Sequence, residues 1–169
     1  PYLVMELLVG EDLEARLERL GRMTPAALAP LVSQVAKALR RAHETGIVHR
    51  DLKPLNIFIS RQDEEEVAKI LDFGIAKAPD TGIGKSTRTG TLMGSPHYMS
   101  PEQARGAKQL DHRSDLWSLG VILFRALTGQ KPFEASSIGD LVIKLCIEPP
   151  PVPSRIAVDL PPEVDRFFE

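Results

Sequence analysis

A single cysteine, Cys146, stands in 169 residues, which excludes an internal disulfide and a Cys-rich zinc site and fits a reducing compartment. As a lone thiol it reads as a small apolar helix residue. Net charge is scarce as well. The 21 Lys and Arg and 23 Asp and Glu are interspersed and leave −2, so no basic field points to nucleic acid or to a polybasic membrane surface. Any partner must be chosen by a local site. The longest strongly apolar stretch, Leu116 to Leu127, is interrupted by Ser118, Gly120 and Arg125 and is too short to span a bilayer. The opening Pro1-Tyr2-Leu3-Val4-Met5-Glu6 lacks an initiator Met, a basic leader and a cleavage site, and reads as mid-domain sequence truncated at its front. No internal repeat is visible. What is present, a chain of ordinary domain length with 43% hydrophobic residues, suffices for one sizeable core.

Along the chain, Tyr2 to Met5 is a short apolar run consistent with a strand that ends at Val9-Gly10. Asp12 is positioned to cap a helix through Leu20, with Leu13, Leu17 and Leu20 on one face and Gly21 as its stop. Thr24 followed by Pro25 opens a longer helix, whose Leu28, Leu31, Val35, Leu39 and Ala42 recur at three and four before Gly46. Ile47-Val48 and Ile57-Phe58-Ile59 read as short strands, the latter forming a hairpin with Val67 to Leu71 across Arg61 to Glu66. The run Asp63-Glu64-Glu65-Glu66 reads as a solvated turn, since adjacent carboxylates on a turn converge poorly on a cation. Residues 78 to 94, rich in Thr, Gly, Ser, Asp and Lys, are too long for a mere connector and predict a functional loop. Ser114 to Thr128 is apolar on most sides and predicts a buried central helix stopped by Gly129. Ser136 or Ser137 caps a further helix to about Glu148, where three prolines forbid continuation, and Leu160-Pro161-Pro162-Glu163 opens another that runs to the end of the chain.

The chemistry is concentrated in His49-Arg50-Asp51-Leu52-Lys53-Pro54-Leu55-Asn56, where a carboxylate, an ammonium and an amide fall within six residues. Phosphoryl transfer needs a group that orients the attacking hydroxyl, cations for the transferring oxygens and oxygen ligands for a divalent metal. Asp51, Lys53 and Asn56 supply these. With Asp72-Phe73-Gly74 following one hairpin later, the sequence resembles the eukaryotic-type serine/threonine protein kinase family. The resemblance implies a kinase-like α+β fold. Residues 1–10 would be the last small-lobe strand and hinge, and 11–169 a mainly helical C-lobe truncated before its last helices.

It further implies that Asp51 accepts the proton of a protein hydroxyl, Lys53 approaches the γ-phosphate of ATP, and Asn56 and Asp72 hold Mg²⁺, or Mn²⁺ in its place. His49 and Phe73 resemble packing members of the family's regulatory spine. Gly94-Ser95-Pro96-His97-Tyr98-Met99-Ser100-Pro101-Glu102 resembles the segment that closes the activation loop, with Ser where Ala is usual at position 100. Ser95 keeps a hydroxyl able to bond Asp51 and Lys53, and both it and Lys53 imply serine/threonine specificity. Asp115-Leu116-Trp117-Ser118-Leu119-Gly120 resembles the start of the buried family helix whose Asp bonds the catalytic-loop backbone, so Asp115 would be support and not chemistry. Arg50 and Lys77 match positions that bind a phosphate on the activation loop, which predicts phosphorylation at Thr91 or Thr89, with Thr87 a weaker candidate. At the hinge, Met5 would be the gatekeeper, the backbone of Glu6 and Leu8 would meet adenine, Asp12 the ribose, and Phe58 the adenine floor.

Departures limit the expectation. The family's Gly-rich loop, its ATP-anchoring Lys and the Glu of its αC helix would precede Pro1, and the late-helix Arg that pairs with Glu102 would follow Glu169. Thr81-Gly82-Ile83-Gly84-Lys85-Ser86 has neither the spacer nor the preceding strand of a P-loop. The parent protein is thus expected to be an active kinase of protein substrates, and residues 1–169 alone inactive. A homodimer would permit phosphorylation in trans. A cytoplasmic location is expected, unless a segment outside these residues anchors the parent to a membrane. Gln103-Ala104-Arg105-Gly106 after Pro101-Glu102 resembles bacterial members. Two alternatives remain: a pseudokinase scaffold, which the Lys upstream of Pro1 would decide, and a small-molecule phosphotransferase, which an acceptor panel would decide.

Overall fold

A computed structural model describes residues 6–62, 65–73 and 96–169. The expected strand at Tyr2 to Met5, the loop 78–94, and Met5, Lys77, Thr87, Thr89, Thr91 and Ser95 lie outside the described residues. Three strands form one antiparallel sheet in the order β1 (Gly10–Asp12), β2 (Ile57–Gln62), β3 (Glu65–Ile70). Among the described residues the helices are α1 (Leu13–Leu20), α2 (Pro25–Glu44), α3 (Pro101–Ala104), α4 (Arg113–Thr128), α5 (Ile138–Ile147), α6 (Pro153–Ile156) and α7 (Pro162–Phe168). This is the small-sheet, mainly helical layout expected of a kinase C-lobe.

Caps explain most helix starts. Asp12 Oδ1 accepts the Ala15 amide at 2.8 Å, Thr24 Oγ1 accepts that of Ala27, with Pro25 at the first position, and Ser137 Oγ accepts that of Asp140. Gly129, in the left-handed conformation, ends α4. The α2 stripe Leu28, Leu31, Val35 and Leu39 is buried, each side chain contributing about 1.5–3 kcal/mol over leaving it in water. It packs on α4, whose Ile122, Phe124 and Ala126 are almost wholly enclosed. A second, smaller core of Phe133, Leu141 and Leu145 closes over Trp117, whose indole stacks on Phe133 with centroids 6.1 Å apart.

Several expectations need correction. Ile47-Val48 is not a strand: Ile47 N–H bonds back to Ala42 O, and the amides of His49 and Arg50 that follow are taken by Asp115 of α4. The hairpin is longer than predicted, with Arg61 paired to Glu66 and Gln62 to Glu65, so Glu65 and Glu66 belong to β3 and not to a turn. Glu66 is also not merely solvated. It receives a bidentate pair from Arg16 at 2.7 Å, and Arg16 reaches Glu11 at 2.8 Å. Leu20 is half exposed, and Arg16 takes its place beside Leu13 and Leu17 on the inner face of α1.

β1 itself was not anticipated beyond the run ending at Val9-Gly10. A Cβ on Gly10 would sit 2.0 Å from Ile59 O, so only glycine permits this approach of β1 to β2. From α2, Gln34 donates to Glu66 O at 3.1 Å and accepts the Ala68 amide at 2.7 Å, on the side of β3 away from β2.

Candidate active site

The loop between α2 and β2 has little regular structure, and its shape is imposed by side chains from elsewhere. Asp115, fully buried near the start of α4, accepts the His49 amide on Oδ2 and the Arg50 amide on Oδ1, both at 2.8 Å. His43 of α2 adds a third bond, Nε2 to Asp115 Oδ2 at 2.7 Å. Held in this way, Arg50 adopts φ 65°, a left-handed conformation that an L side chain reaches at a cost of roughly 1–2 kcal/mol. Its side chain is exposed.

His49 is completely buried and spans two segments. Its Nδ1 accepts the Asp51 amide at 3.3 Å, which requires hydrogen on Nε2, and Nε2 then donates to Leu71 O at 3.0 Å. Leu71 N–H in turn donates to Asn56 O at 2.8 Å. Leu71 is thereby fixed against the loop at both its polar backbone groups, and it delivers Asp72 next to it in the chain. Asp72 is exposed and also left-handed, at φ 51°. The Phe73 ring lies 5.0 Å from that of His49.

Within the loop, Lys53 Nζ is 3.2 Å from Asp51 Oδ2, and Asn56 Nδ2 donates to Asp51 O at 2.9 Å. The 3-10 turn Pro54–Asn56 explains the spacing, because it folds Asn56 back under Asp51. Asp51, Lys53, Asn56 and Asp72 are therefore gathered by one hydrogen-bonded unit. The arrangement can hold a cation and a phosphate near a carboxylate able to take a proton.

The residues expected to meet the nucleotide lie in or beside the sheet. Asp12 lies opposite Phe58 in the β1–β2 register and Phe58 opposite Lys69, whose Nζ donates to the Glu6 carboxylate at 2.6 Å. Leu8 is half-buried. The Asp12 carboxylate, expected to meet a ribose, already serves as the cap of α1.

In α3, Glu102 accepts the Ser114 hydroxyl at 2.6 Å. Burial opposes its charge, but the Ser114 hydroxyl, its own backbone amide and the Ser100 hydroxyl outweigh burial and hold the carboxyl below its ordinary range. Tyr98, in the 3-10 turn Pro96–Tyr98, is buried, and burial pushes its phenol up against the opposing pull of Arg125. Arg125 Nη1 donates to Tyr98 Oη at 2.6 Å, and Arg125 Nη2 to Glu14 Oε1 at 2.6 Å, tying α1 to this turn through α4.

Sequence reasoning missed His43, Gln103 and Arg125. Gln103 pairs with Ser100 in a capping box, a local signal open to reading, and its Nε2 also donates to Arg50 O at 2.8 Å. His43 and Arg125 act across 72 and 111 residues, and no local pattern marks them.

Residues 1–156 match the protein kinase domain family. The chain is 46% identical to the serine/threonine-protein kinase pkn3 of Myxococcus xanthus over 99% of its own length and 31% of that protein's. It is 43% identical to Pkn1 of the same organism, over 92% of this chain and 22% of the relative. With the serine/threonine-protein kinase PknA of Mycobacterium tuberculosis the figure is 42%, over 99% and 37%. The chain thus spans less than two fifths of these curated relatives. No helix among the described residues is long and apolar enough to cross a membrane. On its motif geometry and its match over nearly its whole length, the chain belongs to the protein kinase domain family.

Proposed function

We propose that the protein containing these residues transfers the γ-phosphoryl group of ATP to serine or threonine hydroxyls of protein substrates. The observation that carries this is the placement of Lys53 Nζ 3.2 Å from Asp51 Oδ2, with Asn56 Nδ2 fixing the backbone beside Asp51. Asp51 orients the acceptor hydroxyl and takes its proton as the new O–P bond forms and the bond to the β-phosphate oxygen breaks, releasing ADP. Lys53 offsets charge on the transferring oxygens.

The donor set fits a hard cation. Asn56 spends its Nδ2 on Asp51 O, which leaves its Oδ1 as the atom to meet a metal, and Asp72 offers an exposed carboxylate. Among the described residues no three His, Cys, Asp or Glu side chains gather as a metal site. Mg²⁺ or Mn²⁺ suits so small a protein ligand set, because phosphate oxygens and water complete the shell. When bound, the ion neutralises phosphate charge. In the same reading the backbone of Glu6 and Leu8 meets adenine and Phe58 its face, and phosphate on Thr91, Thr89 or Thr87 meets Arg50 and Lys77.

Full-length protein with γ-labelled ATP and Ser, Thr and Tyr peptides tests the proposal. Label should enter Ser or Thr peptides, and Asp51→Asn should lower the rate about 10²–10⁴-fold at an unchanged melting temperature. Transfer undiminished in that variant, or none in the intact protein, would sink it. Residues 1–169 alone should transfer no phosphate above background, since positioning by both lobes carries most of the rate; a normal rate would overturn that part.

A further inference from the structure

We infer that Gln103 is a positioning residue for Asp51, coupling the substrate-side helix α3 to the catalytic loop through the carbonyl of Arg50. The inference rests on the phosphoryl-transfer reading above. It concerns a residue whose capping box accounts for only one of its two side-chain bonds.

The side chain does two separable things. Its Oε1 accepts the Ser100 amide at 3.0 Å, completing the capping box with Ser100 Oγ, which accepts the Gln103 amide at 3.3 Å. Its Nε2 donates across 53 residues to Arg50 O at 2.8 Å. The first bond needs only an acceptor, which Glu provides equally in capping boxes. The second needs a donor, which a carboxylate lacks. Gln satisfies both at once.

The position of Arg50 O makes the second bond consequential. Arg50 is left-handed at φ 65°, and its amide is already pinned by Asp115 Oδ1 at 2.8 Å. The peptide unit that carries Arg50 O also carries the Asp51 amide, which donates to His49 Nδ1 at a long 3.3 Å. Gln103 therefore grips the opposite edge of the peptide plane from which Asp51 projects. With Asp115 on one side of Arg50 and Gln103 on the other, that plane has a single orientation. Without Gln103, this peptide loses its shorter bond, and with the long His49 bond and the Asn56 bond to Asp51 O still in place it can rock further, displacing the Asp51 carboxylate relative to an acceptor hydroxyl. Displacements near 1 Å can cost on the order of 10²-fold in rate. The same side chain starts α3, so the loop and this helix are registered to each other by one amide group.

Two variants of the full-length protein separate the roles. Gln103→Glu retains the acceptor and loses the donor. Gln103→Lys retains a donor and loses the acceptor. The rate at saturating ATP and peptide should fall about 10- to 100-fold in Gln103→Glu, with KM for ATP within about two-fold and the melting temperature near wild type. Amide hydrogen exchange in a peptide covering His49 to Leu52 should rise. Gln103→Lys should keep most of the rate and lose some thermal stability, as removal of a cap contact does. Rate following the donor and stability following the acceptor supports the inference. Wild-type rate and exchange in Gln103→Glu overturns it, as do both variants losing rate only in proportion to stability. If the wild-type protein transfers no phosphate, the functional reading fails on its own, and the exchange comparison still decides whether Gln103 holds the loop.

Discussion

Asp115 and Arg16 are both charged and both buried, 0% and 6% exposed, yet they hold different kinds of partner. Asp115 spends its oxygens on two amides of one loop and on the His43 ring, so it holds a costly left-handed backbone conformation in place. Arg16 spends its guanidinium on Glu11 of β1 and Glu66 of β3, so it fixes how α1 sits against the sheet. The difference lies in what is left behind when each is removed. Asp115 is wholly enclosed and so is His49, one of its donors, whereas Glu11 and Glu66 remain 24% and 41% exposed and can re-solvate.

Asp115→Ala should show the larger effect, a loss of about 3–5 kcal/mol in denaturant unfolding, together with loss of phosphoryl transfer in the full-length protein. A cost below ~1 kcal/mol would mean that the loop amides find other partners, and the contrast with Arg16 would collapse. Arg16→Met should cost only about 1–2 kcal/mol, because its methylenes are replaced and the two carboxylates return to water. A cost as large as that of Asp115→Ala would break the comparison from the other side.

The smallest effect is in pH. The Arg16 hydrogen bond holds the Glu66 carboxyl below its ordinary 4.5, and Arg19 and then Arg16 do the same for Glu11. Both groups carry more charge when folded than when unfolded in acid. The stability they supply is therefore fully present above about pH 4.5 and is lost as pH falls through their depressed values. Unfolding free energy measured from pH 6 downward to pH 3, roughly across the ordinary carboxyl range, should fall less steeply in Arg16→Met than in the wild type. Identical slopes would show that the clamp does not perturb these carboxyls.

Legibility in the sequence followed the range of each interaction. Asp12, Thr24 and Ser137 cap helices within three residues of themselves, so the starts of α1, α2 and α5 could be read directly. The cluster of Asp51, Lys53 and Asn56 was readable for the same reason. Gly10–Asp12 could not be read as a strand, since Gly-Glu-Asp has no strand preference and its extension comes from pairing with β2. Ile47-Val48 misled in the opposite direction: two β-branched residues suggest a strand, but Asp115 takes the amides of His49 and Arg50 that follow. Glu66 looked like one of four solvated carboxylates because its partner, Arg16, lies 50 positions earlier. At the site, the clustered side chains lie close in sequence and were visible, while the residues that hold their loop, His43 and Gln103, came from distant segments.

The contact of Gln34 with β3 has a consequence for how this domain meets other chains. A strand adding to β3 would need to offer an acceptor to Ala68 N–H and a donor to Glu66 O, and the Gln34 amide already presents both in the manner of a peptide group. That edge is closed to β-augmentation and to edge-to-edge aggregation by one side chain from a neighbouring helix.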